Sequence, residues 1–94
     1  MYTIEFGPAA FRVFKKLPKE VQKKIASEAE VLRTNPLAGQ PLEGKRRQFR
    51  SLRFSFQGTA YRLIYQVFAE TRTIVVRLAG TRENIYRKLE EMGQ

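Results

Sequence analysis

The sequence has 94 residues, which is enough for one domain and too few for two, so we predict a single domain over residues 1–94. It has no cysteine and no histidine, which excludes disulfide bridges, thiolate or imidazole metal sites and a cysteine nucleophile. Its nine acids are all glutamates without a close cluster, and 18 Lys and Arg residues give a net charge of +9, so we expect no metal, no cofactor and a polyanionic partner.

The N-terminal third predicts one strand followed by two helices. Residues 2–6 alternate apolar and polar side chains, which is the period of a half-buried strand. Apolar side chains then recur every three to four positions in residues 8–17 and again in residues 19–34. Pro18 separates the two predicted helices, and Asn35-Pro36 ends the second.

The rest of the chain predicts three consecutive strands and a last helix. Residues 36–48 contain two prolines and two glycines, which is typical of a loop. Residues 52–56, 61–68 and 74–78 favour strands joined by short turns, and Ile85, Leu89 and Met92 give a final amphipathic helix. The order β-α-α-β-β-β-α predicts an α+β fold, with a small antiparallel sheet packed on the N-terminal helical pair.

A basic segment follows the predicted loop. Residues 45–62 contain six basic side chains and no acid: Lys45, Arg46, Arg47, Arg50, Arg53 and Arg62. Such a surface attracts polyanions because neutralised phosphates release their counterions, although a charge run can also be an ordinary solvated face. Alternation along the strand places Arg53 opposite Leu52 and Phe54, so Arg53 is expected to face solvent if those two meet the helices.

Arg82 and Tyr86 are spaced i and i+4 at the start of the last helix, so their side chains fall on one side of it. A helix N-terminus also favours a phosphate. The alternatives are that Thr81 is only an N-cap and that Tyr86 is a half-buried aromatic beside Ile85.

Three blocks of the sequence together point to a known family. They are Arg-Ser-Leu-Arg at residues 50–53, Tyr-Arg-Leu-Ile-Tyr-Gln-Val at 61–67, and Gly-Thr-Arg-Glu-Asn-Ile-Tyr at 80–86. With residues 2–6 and 16–21 they resemble the RelE toxins of the RelE/ParE superfamily of type II toxin–antitoxin systems. The resemblance covers essentially the whole chain. The second block is common to the wider superfamily, whereas the third is more discriminating.

The resemblance implies a ribosome-dependent endonuclease that cuts mRNA in the decoding site, inhibits translation and is controlled by a cognate antitoxin. It assigns catalysis to Arg53, Arg62, Arg82 and Tyr86. Members of the family often carry two basic residues two positions apart on the first active-site strand. Here Ser51 stands at one of those positions, with Arg50 beside it. We predict RNA or ribosome contacts for the basic segment and this serine: Lys45, Arg46, Arg47, Arg50 and Ser51.

The composition is consistent with metal-independent cleavage of RNA. The 2′-hydroxyl of RNA can attack the adjacent phosphate, so the protein needs only to position the substrate and stabilise charge, tasks that suit Arg62 and Arg82. Arg53 would neutralise the backbone, and Tyr86 would orient the base or hydroxyl. The alternatives are a ParE-like toxin that poisons DNA gyrase without cutting RNA, and a plain nucleic-acid-binding module.

The lack of long apolar runs bears on the localisation of the protein, and its basic residues bear on its inhibition. No apolar run approaches the roughly 18 residues of a membrane span, and the N-terminus lacks a secretion signal, so we expect a cytoplasmic protein with no membrane partner. We also expect an antitoxin whose acidic segment faces Arg53, Arg62 or residues 45–47.

Overall fold

A computed structural model of residues 1–92 shows the predicted strands and helices in the predicted order, with one short strand added between the second helix and the next three strands. The elements are β1 (Thr3–Phe6), α1 (Pro8–Phe14), α2 (Lys19–Thr34), β2 (Gln40–Pro41), a 3₁₀ turn (Gly44–Arg46), β3 (Phe49–Phe56), β4 (Thr59–Phe68), β5 (Thr73–Thr81) and α3 (Arg82–Met92). Residues 93 and 94, which the sequence assigns to the same domain, lie outside the described residues. The predicted α+β class is confirmed.

Strands β3, β4 and β5 form the predicted antiparallel meander. A two-residue turn joins β3 to β4, and its residues Gln57 and Gly58 have φ angles of 51° and 78°. Two positive φ values in succession match the twist of a tight hairpin, and a glycine adopts the second at no steric cost. This turn fixes the pairing of the two strands that carry Arg53 and Arg62.

The sheet differs from the prediction in two details. It has five strands in the order β1-β5-β4-β3-β2, and β1 runs parallel to β5, so the sheet is mixed and not purely antiparallel. The meander leaves one edge of β5 free, and β1 pairs there before the chain turns into α1. The predicted loop contains the additional strand β2, whose two residues are too few to show a period in the sequence.

One face of the sheet is covered by α1 and α2, and we call it the α1–α2 face. Helix α2 buries the predicted apolar side chains Val21, Ile25, Ala29 and Leu32. The sheet contributes Leu63 and Tyr65 from β4 and Ile74 and Val76 from β5, all with no exposed surface. These residues form the larger of two hydrophobic clusters, so the N-terminal helices and the meander share one core.

Helix α3 packs on the opposite face, which we call the α3 face. Ile85 and Leu89 contact Ile64 and Leu78 in a second, smaller cluster. A β-bulge makes this possible: Tyr65 pairs with Val76 and Ile64 pairs with Leu78, so Arg77 is an extra residue in β5. Because side chains alternate along a strand, the extra residue moves Leu78 from the α1–α2 face to the α3 face.

A buried tyrosine anchors the segment that leads to β2. The Tyr65 hydroxyl donates to the Pro36 carbonyl at 2.8 Å and accepts from the Gly39 amide at 2.9 Å. Only glycine fits at position 39, because a Cβ there would lie 2.8 Å from the Ser51 carbonyl oxygen and 2.9 Å from Tyr65 Cε1. None of the helices in the described part of the chain is both long and apolar enough to cross a membrane.

Candidate active site

Arg53 and Arg62 lie directly opposite each other on β3 and β4. Residues that pair directly across antiparallel strands project to the same face, and both arginines project to the α3 face, opposite Leu52 and Leu63. This confirms the predicted placement of Arg53, which is exposed. Arg62 differs from a solubilising surface arginine, because it is only 6% exposed.

Tyr86 covers Arg62. The Arg62 Nη2 atom donates to the Tyr86 hydroxyl at 3.2 Å, and the Arg62 guanidinium carbon lies 4.7 Å from the centroid of the tyrosine ring. The guanidinium carbon of Arg82 lies 5.6 Å from the same centroid, within the range of a cation–π contact. The i, i+4 spacing therefore brings Arg82 and Tyr86 together, and the start of α3 places both beside Arg62.

The first turn of α3 is held by Thr81. Its hydroxyl accepts a hydrogen bond from the backbone amide of Asn84 at 3.4 Å, which is the geometry of a helix N-cap. The N-cap alternative raised from the sequence is therefore correct for Thr81. Tyr86 is half-buried, as its alternative states, with 45% of its surface exposed, but its hydroxyl also accepts a hydrogen bond from Arg62, and its role in the site stays a prediction.

The two arginines change the acidity of Tyr86. Hydrogen bonding from Arg82, followed by hydrogen bonding from Arg62, lowers the pKa of the Tyr86 phenol below its ordinary value. The positive charges of both guanidinium groups act in the same direction, because they stabilise the phenolate. At a given pH a larger fraction of Tyr86 is therefore phenolate, the form that can accept a proton, than for an ordinary tyrosine.

The three arginines Arg53, Arg62 and Arg82 line an open groove of about 290 Å³, which we call the arginine groove. It is lined by Arg53, Phe54, Ser55, Ala60, Tyr61, Arg62 and Arg82. Among the described residues, none of its three arginines forms an ion pair with a carboxylate. Three unneutralised guanidinium groups at one groove present planar donors whose geometry matches phosphate oxygens.

The remaining predicted binding residues do not line this groove. Lys45 and Arg47 are exposed near the 3₁₀ turn, whereas Arg46 is partly buried and its Nη2 atom donates to the Leu89 carbonyl at 2.6 Å. This bond ties the 3₁₀ turn to α3. A binding role for Lys45 and Arg47 remains a prediction, and Arg46 already serves the fold.

Arg50 and Ser51, the two candidates for the second basic position, are separated by the sheet. Arg50 projects to the α1–α2 face, where its Nη1 atom donates to the Gly39 carbonyl at 2.9 Å. Ser51 shares the face of Arg53 but is 3% exposed, and its hydroxyl has no hydrogen-bond partner among the described residues. Their predicted RNA contacts remain a prediction, and neither side chain lies at the arginine groove.

Three residues near the groove were missed from the sequence: Ser55, Tyr61 and Gly80. The signal that could have found the first two is the Gln57-Gly58 turn, since counting outward from it pairs Ser55 with Ala60, and Phe54 with Tyr61. Gly80 pairs with Arg62 on the other side. A Cβ at Gly80 would lie 4.0 Å from Ile85 Cδ1, an ordinary van der Waals contact, so the space between the strand and the first turn of α3 does not itself require glycine.

Comparison with solved structures identifies similar proteins. The chain is 31% identical to a chain in the RelBE2 toxin–antitoxin complex from Mycobacterium tuberculosis, over 86% of this chain and 98% of that one, with a TM-score of 0.72. The isolated RelE toxin of E. coli is 21% identical over the full length of both chains, with a TM-score of 0.71. At that identity the E. coli protein supports the fold alone.

No curated protein sequence matches the chain. The model of one protein family matches residues 5–90, and its members are described as ParE-like toxins of type II bacterial toxin–antitoxin systems. The match covers nearly the whole fold and includes every residue of the arginine groove. The chain therefore belongs to the ParE-like toxins of type II bacterial toxin–antitoxin systems, within the RelE/ParE superfamily.

Proposed function

We propose that this toxin is a ribosome-dependent endonuclease that cleaves mRNA in the decoding site. The observation that carries the proposal is Arg62, a nearly buried guanidinium that no carboxylate of the described residues neutralises. A buried cation is costly without a counter-charge, and a fold that needed only stability would pair or replace it. An anion entering the groove supplies that counter-charge.

The chemistry follows from the groups around the groove. The 2′-hydroxyl of the RNA attacks the adjacent phosphorus, the bond to the 5′-oxygen of the next nucleotide breaks, that oxygen takes a proton from water to become a hydroxyl, and a 2′,3′-cyclic phosphate remains. Arg62 and Arg82 stabilise the added negative charge on the phosphate, and Arg53 neutralises the backbone beside it. Tyr86, whose pKa is lowered by Arg82 and Arg62, accepts the proton of the attacking hydroxyl or orients that hydroxyl.

In this proposal the ribosome holds the RNA in a reactive geometry. Arginine is a poor base, and among the described residues Tyr86 is the only group in contact with Arg62 and Arg82 that has a lowered pKa. Much of the rate must therefore come from holding the RNA with its 2′-hydroxyl in line with the phosphate, which a positioned substrate provides. Lys45 and Arg47 would contact ribosomal or messenger RNA. Action on the ribosome would place the protein in the cytoplasm.

The antitoxin is expected to compete with RNA for this groove. RelE of E. coli has been crystallised in a RelBE toxin–antitoxin complex, and a RelE mutant has been determined with a peptide of the antitoxin RelB. We propose that the antitoxin of the present toxin carries acidic residues that face Arg53, Arg62 or residues 45–47. Such residues would neutralise the guanidinium groups that the phosphate uses.

The test is primer extension on mRNA in a reconstituted translation system, with ribosomes present or omitted. We expect cuts at the decoding site with ribosomes and none on naked RNA. Arg87→Ala is a matched control for changes at Arg82, because both arginines are exposed on α3 and Arg87 does not line the groove. Equal cutting of naked RNA would contradict the proposed role of the ribosome.

The second candidate function is inhibition of DNA gyrase, which the ParE-like family description favours. A gyrase inhibitor does not need a buried arginine under a tyrosine at an open groove. A supercoiling assay with purified gyrase separates the two functions. Loss of supercoiling activity without any mRNA cleavage would establish the second candidate in place of the first.

A further inference from the structure

The last turn of α3 has no cation of its own. Its carbonyl groups have no partner within the helix, and the helix dipole places a partial negative charge at this end, so a positive side chain there is stabilising. Glu90 and Glu91 add negative charge in the same turn. A cation from another part of the chain is therefore favourable at the end of α3.

Arg46 supplies that cation from the 3₁₀ turn. Its Nη2 atom donates to the Leu89 carbonyl at 2.6 Å, across 43 positions of the chain. The bond is partly buried, and the Arg46 Nε atom is buried with no hydrogen-bond partner among the described residues. A charged donor makes a shorter and stronger hydrogen bond than a neutral one, and partial burial strengthens the bond further. Arg46 is therefore an anchor for the C-terminal half of α3.

A small apolar contact joins α3 to the sheet. Among the described residues, two of its side chains are buried, Ile85 and Leu89, and they contact Ile64 and Leu78. Leu42, from the segment before the 3₁₀ turn, packs against the same cluster. The other attachment of α3 is its direct continuation from β5. Leu89 is thus held twice, by its side chain and through its carbonyl, and α3 is fixed at both ends.

Tyr86 lies between the two attachment points of α3. At a rise of about 1.5 Å per residue, Tyr86 is about 6 Å from Arg82 along the helix, and Leu89 is about 10 Å from it. If the helix pivoted at Arg82 and Leu89 rose by about 2 Å, Tyr86 would move by about 1 Å. The hydrogen bond from Arg62, at 3.2 Å, would then be broken. A displacement of about 1 Å at reacting groups can lower a rate by about a hundredfold.

We propose that Arg46 is a positioning residue of the arginine groove, which anchors Leu89 so that Tyr86 stays over Arg62. Arg46 does not line the groove, and it acts through α3. This role differs from the RNA contact that the basic segment predicts from the sequence. The effect of Arg46 on cleavage rests on the proposed function, whereas the anchoring of α3 is a property of the free protein.

Titration of Tyr86 in the free protein tests the anchor. Arg46→Met keeps an unbranched apolar stem and removes the charge and the donor. The ionisation of each tyrosine is followed by NMR of ring-labelled protein. Arg82 and Arg62 lower the pKa of Tyr86, and Arg82 moves with α3, whereas Arg62 stays in the sheet. We therefore expect the pKa of Tyr86 to rise in Arg46→Met, because Tyr86 loses its donor in the sheet.

Arg50→Met is the matched control for this titration. Arg50 is another partly buried arginine that donates to a backbone carbonyl, that of Gly39, but it does so on the α1–α2 face. The control removes the same charge, so it corrects for any long-range effect of that charge on Tyr86. The pKa of Tyr86 should stay at the parent value in Arg50→Met. An equal pKa of Tyr86 in the two variants overturns the proposal, even if both lose thermal stability, because Arg46 then serves the fold alone.

Two more substitutions at position 46 keep the test decisive if Arg46→Met does not fold. Arg46→Lys retains the charge and a donor, so Tyr86 should retain most of its lowered pKa. Arg46→Gln is neutral and has a shorter side chain, so the pKa of Tyr86 should rise as in Arg46→Met. Circular dichroism checks that each variant is folded. A folded Arg46→Gln protein with the parent pKa at Tyr86 contradicts the anchor.

Single-turnover cleavage on ribosomes that carry mRNA separates positioning from binding. We expect Arg46→Met to lower the maximal rate at least about tenfold and to leave the half-saturating toxin concentration within about twofold, because the displaced group acts in the reaction step. Lys23→Met, an exposed change on α2 away from the arginine groove, should cut at the parent rate. A raised half-saturating concentration with an unchanged maximal rate would show that Arg46 contacts RNA, and would overturn the proposal. If the parent protein cuts no mRNA, the proposed function fails, and the titration of Tyr86 still decides the anchor.

Discussion

Replacing Tyr65 with phenylalanine isolates the hydroxyl that anchors the segment before β2. The ring stays in the core, where Tyr65 has no exposed surface. The change leaves the buried Gly39 amide without its acceptor and the partly buried Pro36 carbonyl without its donor. A buried unsatisfied donor costs about 1–3 kcal/mol, and the loss of the second bond adds about 0.5–1.5 kcal/mol.

We therefore expect Tyr65→Phe to lower the free energy of unfolding by about 2–4 kcal/mol. For a domain of this size about 2 kcal/mol corresponds to a fall in Tm of at least about 8 °C. Thermal and urea unfolding followed by circular dichroism measure the change. Tyr61→Phe is the matched control, because Tyr61 is a half-buried tyrosine of the same strand whose hydroxyl has no hydrogen bond within the described residues.

The alkaline range gives a second readout of the same hydroxyl. Burial raises the pKa of Tyr65 above 10.0, against smaller lowering effects of the Gly39 hydrogen bond and the Arg50 charge. The unfolded chain therefore ionises first, and stability should fall as the pH rises above the unfolded value of 10.0 towards the folded pKa. Tyr65→Phe should reduce that fall. Equal stability of the Tyr65→Phe and Tyr61→Phe variants would refute the anchoring role.

Three further predictions concern the site and its inhibitor. Arg82→Ala should lower the rate of mRNA cleavage at least about tenfold in a folded protein, a loss of about 1.4 kcal/mol in transition-state stabilisation, and an unchanged rate would remove Arg82 from the site. If the Tyr86 phenolate accepts the proton, cleavage by the parent protein should rise with pH up to the lowered pKa of Tyr86. Tyr86→Phe should then cut more slowly and lose that rise, and a parallel pH profile of the variant would exclude Tyr86 as the acceptor. Antitoxin association should slow as salt increases, because exposed charges are screened over about 8 Å at physiological ionic strength; stopped-flow rates that ignore salt would show that charge does not steer binding.

The sequence predicts the helices and strands better than it predicts which of them pair or pack together. Period and turn chemistry identify the helices and the meander, and they place Arg53 on the solvent side of β3. The pairing of β1 with β5 could not be predicted, because it joins residues about seventy positions apart and depends on which sheet edge remains free. The packing of α3 on the α3 face depends on the bulge at Arg77. No turn residue at that position indicates the bulge in the sequence.

For the site, too, the sequence predicts which residues take part but not how they contact one another. The spacing of Arg82 and Tyr86 predicts that they act together, and the family resemblance adds Arg53 and Arg62. Neither indicates that Arg62 is buried beneath Tyr86, because that contact joins β4 to α3. The sequence also does not distinguish the different roles of the cations in the basic segment. Arg46 and Arg50 donate to backbone carbonyls of Leu89 and Gly39, and only the tertiary structure separates such anchors from free cations.

The extra residue in β5 makes strand length as important to this toxin as side-chain identity. If Arg77 were deleted, Leu78 and Gly80 would turn towards α1, and the first turn of α3 would start from the wrong side of the sheet. Arg82 and Tyr86 would then lose Arg62, although every groove residue would still be present. Related toxins should therefore tolerate insertions and deletions in residues 36–48 while keeping the number of residues between Val76 and Arg82 constant.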